Sequence, residues 1–303
     1  MTFDFTSRAR LWLFIVLGIV AVGIVSLAVR GLNFGIDFTG GTKLLLNLPG
    51  GYSVAQVRAV LGRVEAEDAS GRKVTLENSY IQEVVGEGNE VVIRTIPLSE
   101  DEREALLKAI AAEWPEFSEA DVLNVENVGP VVGGELIRNA LLALLLASVA
   151  LIIYVSFRFQ FKFAVTALLV LLFDTFVVVT VCSLYQIEIN SPFVAVILTV
   201  VGYSINDTIV IFDRIRENLK YNPSVKVLDQ TVNQSINQSL VRTINTSLTT
   251  LLVVTTLLFF GGETITPFVL PLFVGVICGT FSSIFMAGPL WYLWSSHGGR
   301  VHT

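Results

Sequence analysis

Six long apolar segments constrain the fold of this 303-residue chain more than any other feature of its sequence. A helix that crosses the hydrocarbon core of a bilayer needs about 20 consecutive, mostly apolar residues. Only 15% of the residues are charged, and most of them lie outside these segments. The sequence therefore predicts an α-helical polytopic membrane protein with six transmembrane helices. The predicted helices are Leu11–Val29, Leu136–Phe157, Phe163–Leu184, Pro192–Phe212, Ser239–Gly261 and Phe268–Trp294.

The basic residues between the apolar segments predict how the chain crosses the membrane. Lysine and arginine in short flanking loops favour the cytoplasmic side. The short loops on the opposite side contain Glu188 and Glu263 and no basic residue. We therefore expect both termini in the cytoplasm, with the first helix in residues 1–30, five helices in residues 135–295 and a tail at residues 296–303. The basic residues collected on the predicted cytoplasmic side are Arg8, Arg10, Arg158, Lys162, Arg214, Arg216, Lys220, Lys226 and Arg300.

Residues 31–134, between the first two apolar segments, have the composition of a soluble domain. Alternating apolar residues predict four strands. Ser53 and Ser99 are typical N-caps of two helices, the first running to about Asp68, and Glu102 completes a capping box with Ser99. The order β-α-β-β-α-β is that of a small α+β, ferredoxin-like domain, which we place outside the cytoplasm. The predicted strands are Thr42–Leu48, Lys73–Val85, Glu90–Ile96 and Asp121–Val128, with a turn at Gly86–Asn89.

Three charged residues lie within the predicted transmembrane helices, where a charge costs at least about 2.5–3.5 kcal/mol at mid-depth. Asp207 and Arg242 each lie a short distance inside neighbouring helices, so their side chains could meet. Two interpretations stay open: a structural ion pair that holds the helices in register, or a site that handles protons. Buried ion pairs add little net stability, which favours the second. Asn206 and Asp174 complete the candidate proton-coupling set, although a helix-packing hydrogen bond explains Asp174 equally well.

Polar residues recur at three- and four-residue steps along the fifth predicted helix. This spacing places them on one face of the helix. Because polar groups find no partners in lipid, such a stripe must face protein or a water-filled cavity. The stripe consists of Gln238, Arg242, Asn245, Thr246, Thr249 and Thr250.

Other kinds of site find little support in the sequence. There is no G-x-x-x-x-G-K-[ST] phosphate loop, so ATP is not expected to be the direct energy source. The glycine pairs in residues 39–42 and 133–134 are more typical of turns than of nucleotide sites. Cys182 and Cys278 lie within apolar segments, which favours buried apolar roles over a disulfide or a metal site. Without a catalytic constellation or a large basic field, we expect no enzymatic activity, bound cofactor or nucleic acid.

Three stretches of the sequence carry a family resemblance. Residues 35–42 read GIDFTGGT after the first apolar segment, and residues 128–136 read VGPVVGGEL before the second. Residues 202–210 read GYSINDTIV and are followed by FDRIREN at 212–218. In these motifs, and along essentially its whole length, the chain resembles the SecF members of the SecD/SecF protein-export family.

The resemblance implies one half of an RND-superfamily-like membrane bundle, with SecD as the pseudo-symmetric other half. It also implies the bacterial cytoplasmic membrane as location, SecYEG as the associated translocon and YajC as a candidate further partner. Protons, as the coupling ion, would drive movements that pull on the translocating preprotein. Asp207 matches the family's membrane carboxylate and Arg242 its basic fifth-helix residue, whereas Phe173 replaces a common histidine before Asp174. A passive assembly subunit and an RND-type exporter of small molecules or lipids are the alternatives.

Overall fold

A computed structural model of the protein describes residues 3–68, 70–84, 89–158, 161–221, 228–262 and 265–296. The chain forms two compact units. The helical unit contains Met1–Asn33 and Leu142–Thr303, and the α+β domain contains Phe34–Leu141, limits that differ by a few residues from the predicted 31–134. The predicted turn at residues 86–88, most of the predicted tail, and Lys226, Glu263 and Arg300 lie outside the described residues.

The elements follow one another along the chain in a simple order. They are α1 (Ala9–Arg30), α2 (Ile36–Thr39), β1 (Gly41–Asn47), α3 (Val54–Leu61), β2 (Glu65–Glu67), β3 (Lys73–Thr75), β4 (Tyr80–Glu83), β5 (Glu90–Thr95), α4 (Glu100–Glu113), β6 (Val122–Val128), α5 (Pro130–Arg158), α6 (Phe161–Tyr185), α7 (Ser191–Tyr221), α8 (Leu228–Phe260), α9 (Thr266–Ser282), a π-helical turn (Ser283–Ala287) and α10 (Gly288–Ser296).

Six helical segments of the described chain are long and apolar enough to cross a membrane, which confirms the predicted number. They are α1, α5, α6, α7, α8 and the continuous stretch of α9, the π-helical turn and α10. A π turn holds more residues than an α-helical turn and is frequent at functional sites. The sixth segment therefore carries a local irregularity that the sequence did not predict.

Two of these helices extend well beyond their predicted apolar limits. The helix α7 continues to Tyr221, although the apolar segment ends at Phe212, and α8 begins at Leu228 rather than at Ser239. Apolar residues recur with helical periodicity in both extensions, and Leu219 and Val232 are buried in the same core. The helices continue because both extensions are amphipathic: one face is apolar and packs in the core, and the other face is polar.

The α+β domain is built on a four-stranded antiparallel sheet in the order β4-β5-β1-β6. With α3 after β1 and α4 after β5, this is the predicted ferredoxin-like arrangement. Alternate residues of β1, Leu44 and Leu46, are fully buried together with Leu106 and Ile110 of α4. The predicted capping box of Ser99 with Glu102 and the predicted N-cap at Ser53 are both present.

The predicted second strand and first helix of this domain were too long. Residues 73–85 do not form one strand, because a short 3₁₀ turn at Leu76–Asn78 separates β3 from β4. Leu76 is buried in the core, which fixes the chain at this turn and ends the alternation. The helix α3 ends at Leu61 and not at Asp68, since β2 pairs with β3 as an additional hairpin.

Candidate functional site

Asp207 lies on α7 and exposes only 2% of its surface. Its carboxylate faces two hydroxyl groups of α8. Thr246 Oγ1 donates to Oδ1 at 3.4 Å, and Ser247 Oγ donates to Oδ2 at 3.5 Å. Hydroxyl donors usually lie about 2.7–2.8 Å from their acceptors. Asp207 is therefore a buried acid with weak hydrogen-bond support.

Both hydroxyl groups have closer acceptors on their own helix. Thr246 Oγ1 lies 2.9 Å from the carbonyl oxygen of Thr243, and Ser247 Oγ lies 2.8 Å from the same oxygen. A hydroxyl group has a single hydrogen to donate. Donation to Thr243 therefore leaves the Asp207 carboxylate without that bond, and an unsupported buried anion is costly. Binding a proton removes this charge, so the geometry suits a carboxyl group that gains and loses a proton.

Arg242 is not paired with Asp207. Both residues are described, and no guanidinium nitrogen of Arg242 lies within 4.0 Å of the carboxylate oxygens. Arg242 is exposed, one helical turn before Thr246. Thr243 and Ser247 form the inner face of α8, and a neighbouring position in sequence lies about 100° around the helix. The ion pair that the sequence suggested is thus absent from this structure.

The helix α8 has two polar faces, of which the sequence analysis found one. The predicted stripe is largely exposed: Gln238, Arg242, Asn245 and Thr249 are exposed, and Thr246 and Thr250 are half-buried. A second row of hydroxyl groups repeats every four residues and is buried, at Ser235, Ser239, Thr243 and Ser247. Four-residue spacing of small polar residues is the signal that could have revealed this inner row.

Asp174, on α6, is fully buried and has close donors from two other helices. Ser204 of α7 donates its hydroxyl hydrogen to Oδ2, and Ser282 of α9 donates to the same oxygen at 2.8 Å. The thiol of Cys278 donates to Oδ1 at 3.2 Å. No lysine, arginine or histidine of the described residues lies within 4.0 Å of this carboxylate. Hydroxyl and thiol groups, and no cation, therefore satisfy Asp174.

Glycine residues on α9 bring this helix close to α7. A Cβ atom on Gly275 would lie 2.2 Å from Val200 Cγ2, and one on Gly279 would lie 3.1 Å from Ser204 Cβ. The contact at Gly275 is too short for a side chain unless the helices shift, and the contact at Gly279 is tight. The close approach of α7 and α9 brings the hydroxyl groups of Ser204 and Ser282 to the same carboxylate oxygen of Asp174.

The neighbours of Asp207 in sequence divide between the two sides of α7. Asn206 is exposed, so the structure places it away from the buried carboxylate. Thr208 is fully buried, and its hydroxyl group lies 2.9 Å from that of Ser283 in the π-helical turn. A proton-coupling set of four residues is therefore not brought together: Asp207 and Asp174 are buried, whereas Arg242 and Asn206 face outwards.

The predicted glycine turns lie in the α+β domain. Gly40 and Gly41 have positive φ angles of 69° and 144°, in the region that favours glycine. A Cβ atom on Gly133 would lie 3.1 Å from the carbonyl oxygen of Phe38. The turn predicted at Gly133 and Gly134 is wrong, because both residues lie in the helix α5, where Gly133 packs closely against the backbone and Gly134 does not. Among the described residues there is no group of histidine, cysteine and acidic side chains that could hold a metal, and Cys182 and Cys278 are buried free thiols.

Two family models match the chain. The model described as "Protein export membrane protein SecD/SecF, C-terminal" matches residues 109–297. The model described as "SecD/SecF GG Motif" matches residues 25–48, which include the Gly40–Gly41 turn. The larger match covers more than half of the chain and contains all the residues around Asp207 and Asp174.

Known proteins are similar over most of the chain. The protein translocase subunit SecF of Sebaldella termitidis is 40% identical over 278 residues, which are 90% of this chain and 86% of that protein. The protein translocase subunit SecDF of Thermus thermophilus is 38% identical over 93% of this chain. The matched region is 37% of the length of that SecDF protein. The crystal structure of the Thermus SecDF, described as a translocon-associated membrane protein, superposes with a TM-score of 0.85 at 37% identity over 97% of this chain and 39% of that chain.

Proposed function

The chain belongs to the SecD/SecF family of protein-export membrane proteins, and we propose that it is a SecF subunit that uses protons to assist translocation. In this proposal Asp207 binds a proton from one side of the membrane and releases it to the other. The accompanying change in the contacts between α7 and α8 passes through α1 and α5 to the α+β domain, which pulls on the emerging preprotein.

The observation that carries the proposal is the weak support of the buried Asp207 carboxylate. Its two donors lie 3.4 and 3.5 Å away and have closer acceptors on α8. Binding a proton removes the charge of a carboxylate buried in this way and so lowers its free energy. The two hydroxyl groups can then bond fully to the carbonyl oxygen of Thr243 on their own helix. A change in the acceptors of these two hydroxyl groups therefore accompanies the change in the charge of Asp207.

Arg242 has a second role in the proposal. In the described state it is exposed on α8 and apart from Asp207. When Asp207 is ionised, attraction between the two charges favours a rotation of α8 that brings the guanidinium group inwards. When Asp207 is protonated this attraction is lost, and Arg242 returns to the outer face. The cycle thus uses the separation seen in this structure as one of its two states.

The exposed stripe of α8 is proposed as the surface that meets SecD. Polar side chains cannot face lipid without a large cost, and Gln238, Asn245 and Thr249 are exposed in this chain. The relative named SecDF is much longer than the matched region, which is consistent with a second membrane half beside this one. Cysteine at Asn245 should form cross-links with SecD, whereas cysteine at Leu169, exposed on α6, serves as the comparison. Equal cross-linking at both positions would contradict this assignment.

The location and further partners follow from the same proposal. We place the protein in the bacterial cytoplasmic membrane, with both termini in the cytoplasm and the α+β domain on the opposite side. SecYEG is the proposed channel, and YajC is a candidate additional subunit. A protein of this type acts as a transport subunit and not as an enzyme, with protons in place of a cofactor.

The test is proton-dependent translocation in vesicles that contain this subunit with SecD and SecYEG. Asp207→Asn keeps the size of the side chain and removes the titrating group, so the proton-dependent part of translocation should be lost. Asp213→Asn is the matched control, because Asp213 lies on the same helix with an ion pair to Arg216 at 3.3 Å and a half-exposed side chain. Normal proton-dependent translocation by the Asp207 variant would contradict the proposal.

The passive assembly subunit remains the main rival, and the separated Asp207 and Arg242 bear on it. A subunit that needs an ion pair for helix register should show the pair in its folded state, and no such pair is formed. The charge swap Asp207→Arg with Arg242→Asp distinguishes the two accounts. Restored translocation in the swapped protein would favour the passive role, whereas the proton-coupling role expects no recovery.

A further inference from the structure

Asp174 is a second buried carboxylate that the proposed cycle does not use. Its side chain has no exposed surface, and its donors come from α7 and α9 while Asp174 itself lies on α6. It therefore joins three helices at one point. The hydrogen bonds cross long stretches of sequence, 30 residues to Ser204 and 108 residues to Ser282.

The donors around Asp174 prefer it to their other acceptors. Ser282 Oγ is 2.8 Å from the carboxylate and 3.1 Å from the carbonyl oxygen of Gly279. The hydroxyl group of Ser204 makes its hydrogen bond to Asp174. This is the reverse of the arrangement at Asp207, where the donors are closer to their own backbone. One carboxylate is firmly held and the other is loosely held.

Hydrogen bonds hold α7 on both sides of Asp207 in sequence, one to α6 and one to the π-helical turn. Ser204, three residues earlier, is bound to Asp174 and packs on Gly279. Thr208, the next residue, is hydrogen-bonded to Ser283 at 2.9 Å. Three residues of an α-helix rise about 4.5 Å, so both hydrogen bonds act within one turn of Asp207. One of the two hydrogen bonds that hold α7 beside Asp207 is therefore made by Asp174.

We infer that Asp174 is a positioning residue for Asp207: by binding Ser204 and Ser282 it fixes the face and height of α7 from which Asp207 meets α8. This inference rests on the proposed function of Asp207. Asp174 does not pass the proton in this scheme. It holds the surroundings in which the proton binds, and Cys278 completes its set of donors.

The first test is a double-mutant cycle between Asp174 and Ser204. Proton-dependent translocation by the reconstituted complex should fall roughly tenfold in Asp174→Asn and in Ser204→Ala, the scale of one hydrogen bond to a charged group. The double variant should lose no more proton-dependent translocation than the more impaired single variant, because the two residues share one interaction. Thr199→Val is the matched control, since the exposed Thr199 of α7 bonds only to its own helix at the carbonyl oxygen of Ala195. Additive losses, or an unaffected Ser204→Ala, would overturn the inference.

The second test uses a spectroscopic reporter that a purely structural role would not move. In a Cys182→Ala background, Cys278 is the remaining thiol of the chain, and its S–H infrared stretching band reports the hydrogen bond to Asp174. The band should shift in Asp174→Asn. In the same Cys182→Ala background, it should also shift as a complex that keeps Asp207 is acidified through the titration of Asp207, and stay still when Asp207→Asn is added. A band that ignores the state of Asp207 would show that Asp174 serves packing alone and would overturn the inference.

The two tests also separate this inference from the function on which it rests. Full proton-dependent translocation by Asp207→Asn would overturn the proposed function and the inference with it. If Asp207→Asn loses proton-dependent translocation but the effects of the Asp174 and Ser204 variants are additive, the inference is overturned and the proposed function stands. If Asp174→Asn fails to assemble with SecD, the Cys278 band of the Cys182→Ala protein that keeps Asp174 still decides between the two outcomes of the second test.

Discussion

Serine hydroxyl groups bind carboxylates in both units of this protein, but in opposite surroundings. In the α+β domain, Ser99 binds Glu102 and Ser118 binds Asp121, each pair three residues apart and exposed. In the helical unit, Ser204 and Ser282 bind Asp174 across helices, and all three residues are fully buried. The same pair of chemical groups therefore forms a local cap in one unit and a long-range tie in the other.

The difference lies in what replaces the bond when it is lost. Water can solvate Glu102 and Asp121 at the surface, so the serine adds only modest stability. The bond from the Ser99 side chain lowers the pKa of Glu102, and the backbone N–H of Ser118 lowers the pKa of Asp121. No water-exposed surface is available to Asp174. A missing donor there leaves a buried charge without support, which is the costly case.

The largest expected effect comes from blocking the close helix approach on which the buried tie depends. A side chain at Gly275 meets Val200 at 2.2 Å, so Gly275→Leu should destabilise the protein by about 3 kcal/mol, near the upper end of typical overpacking effects. Gly202→Leu is the control, because a Cβ atom there has nothing within 4 Å. Thermal unfolding of the purified complex measures both. Equal stability of the two variants would show that α7 and α9 need no close packing.

A smaller effect is expected from removing one buried donor. Ser282→Ala takes away the 2.8 Å hydrogen bond to Asp174 and should cost about 2 kcal/mol. Thr256→Val on α8 is the matched control, because Thr256 is exposed and bonds to the carbonyl oxygen of Leu252 on its own helix. Unfolding free energies of the two variants measured in the same detergent decide the point. A harmless Ser282→Ala would remove the distinction between buried and local pairs.

The exposed caps should matter less. Ser99→Ala removes the N-cap of α4 and should lower the stability of the α+β domain by about 1 kcal/mol. Translocation should be unchanged, in contrast to the variants around Asp174. Hydrogen exchange of the amide groups at the start of α4 in the full-length protein is the measurement. A loss of translocation in Ser99→Ala would mean that the local caps share the role of the buried ties.

The smallest effect concerns pH. Hydrogen bonding lowers the pKa of Glu102 from its ordinary value of 4.5. A depressed pKa in the folded state stabilises the protein above the unfolded value, and this contribution is lost as the pH falls through the folded pKa. The α+β domain should therefore lose stability as the pH drops below 4.5, and Glu102→Gln should weaken this dependence. Ser99→Ala should weaken it in the same way, and a pH dependence unchanged in both variants would refute the assignment.

The contrast between local and distant contacts also explains what the sequence could predict. The six apolar segments, the ferredoxin-like order, the N-cap at Ser53 and the capping box at Ser99 depend on neighbouring residues or on composition, and they are confirmed. Buried Asp174 and Asp207 could be singled out because charge in an apolar segment is rare. The partners of Asp174 could not, since Ser204, Cys278 and Ser282 are ordinary residues whose approach depends on how three helices pack.

Differences between the sequence-based expectations and the structure near the site have the same origin. The sequence allowed Arg242 to meet Asp207 because opposite charges at similar depth suggest a pair, but the inner face of α8 is formed by its buried hydroxyl row. Periodicity alone gives two polar faces on this helix and does not say which one turns inwards. The lengths of α7 and α8 were underestimated because amphipathic turns beyond an apolar segment carry no hydropathy signal.

The π-helical turn at Ser283–Ala287 has a consequence for how the length of the sixth segment can change. Deleting one residue from an α-helix rotates everything beyond it by about 100°. A π turn already contains an additional residue, so a deletion there converts it to an α-helical turn and leaves α10 in its original angular phase. Shortening by a single residue should therefore be tolerated within this turn and disruptive within α9.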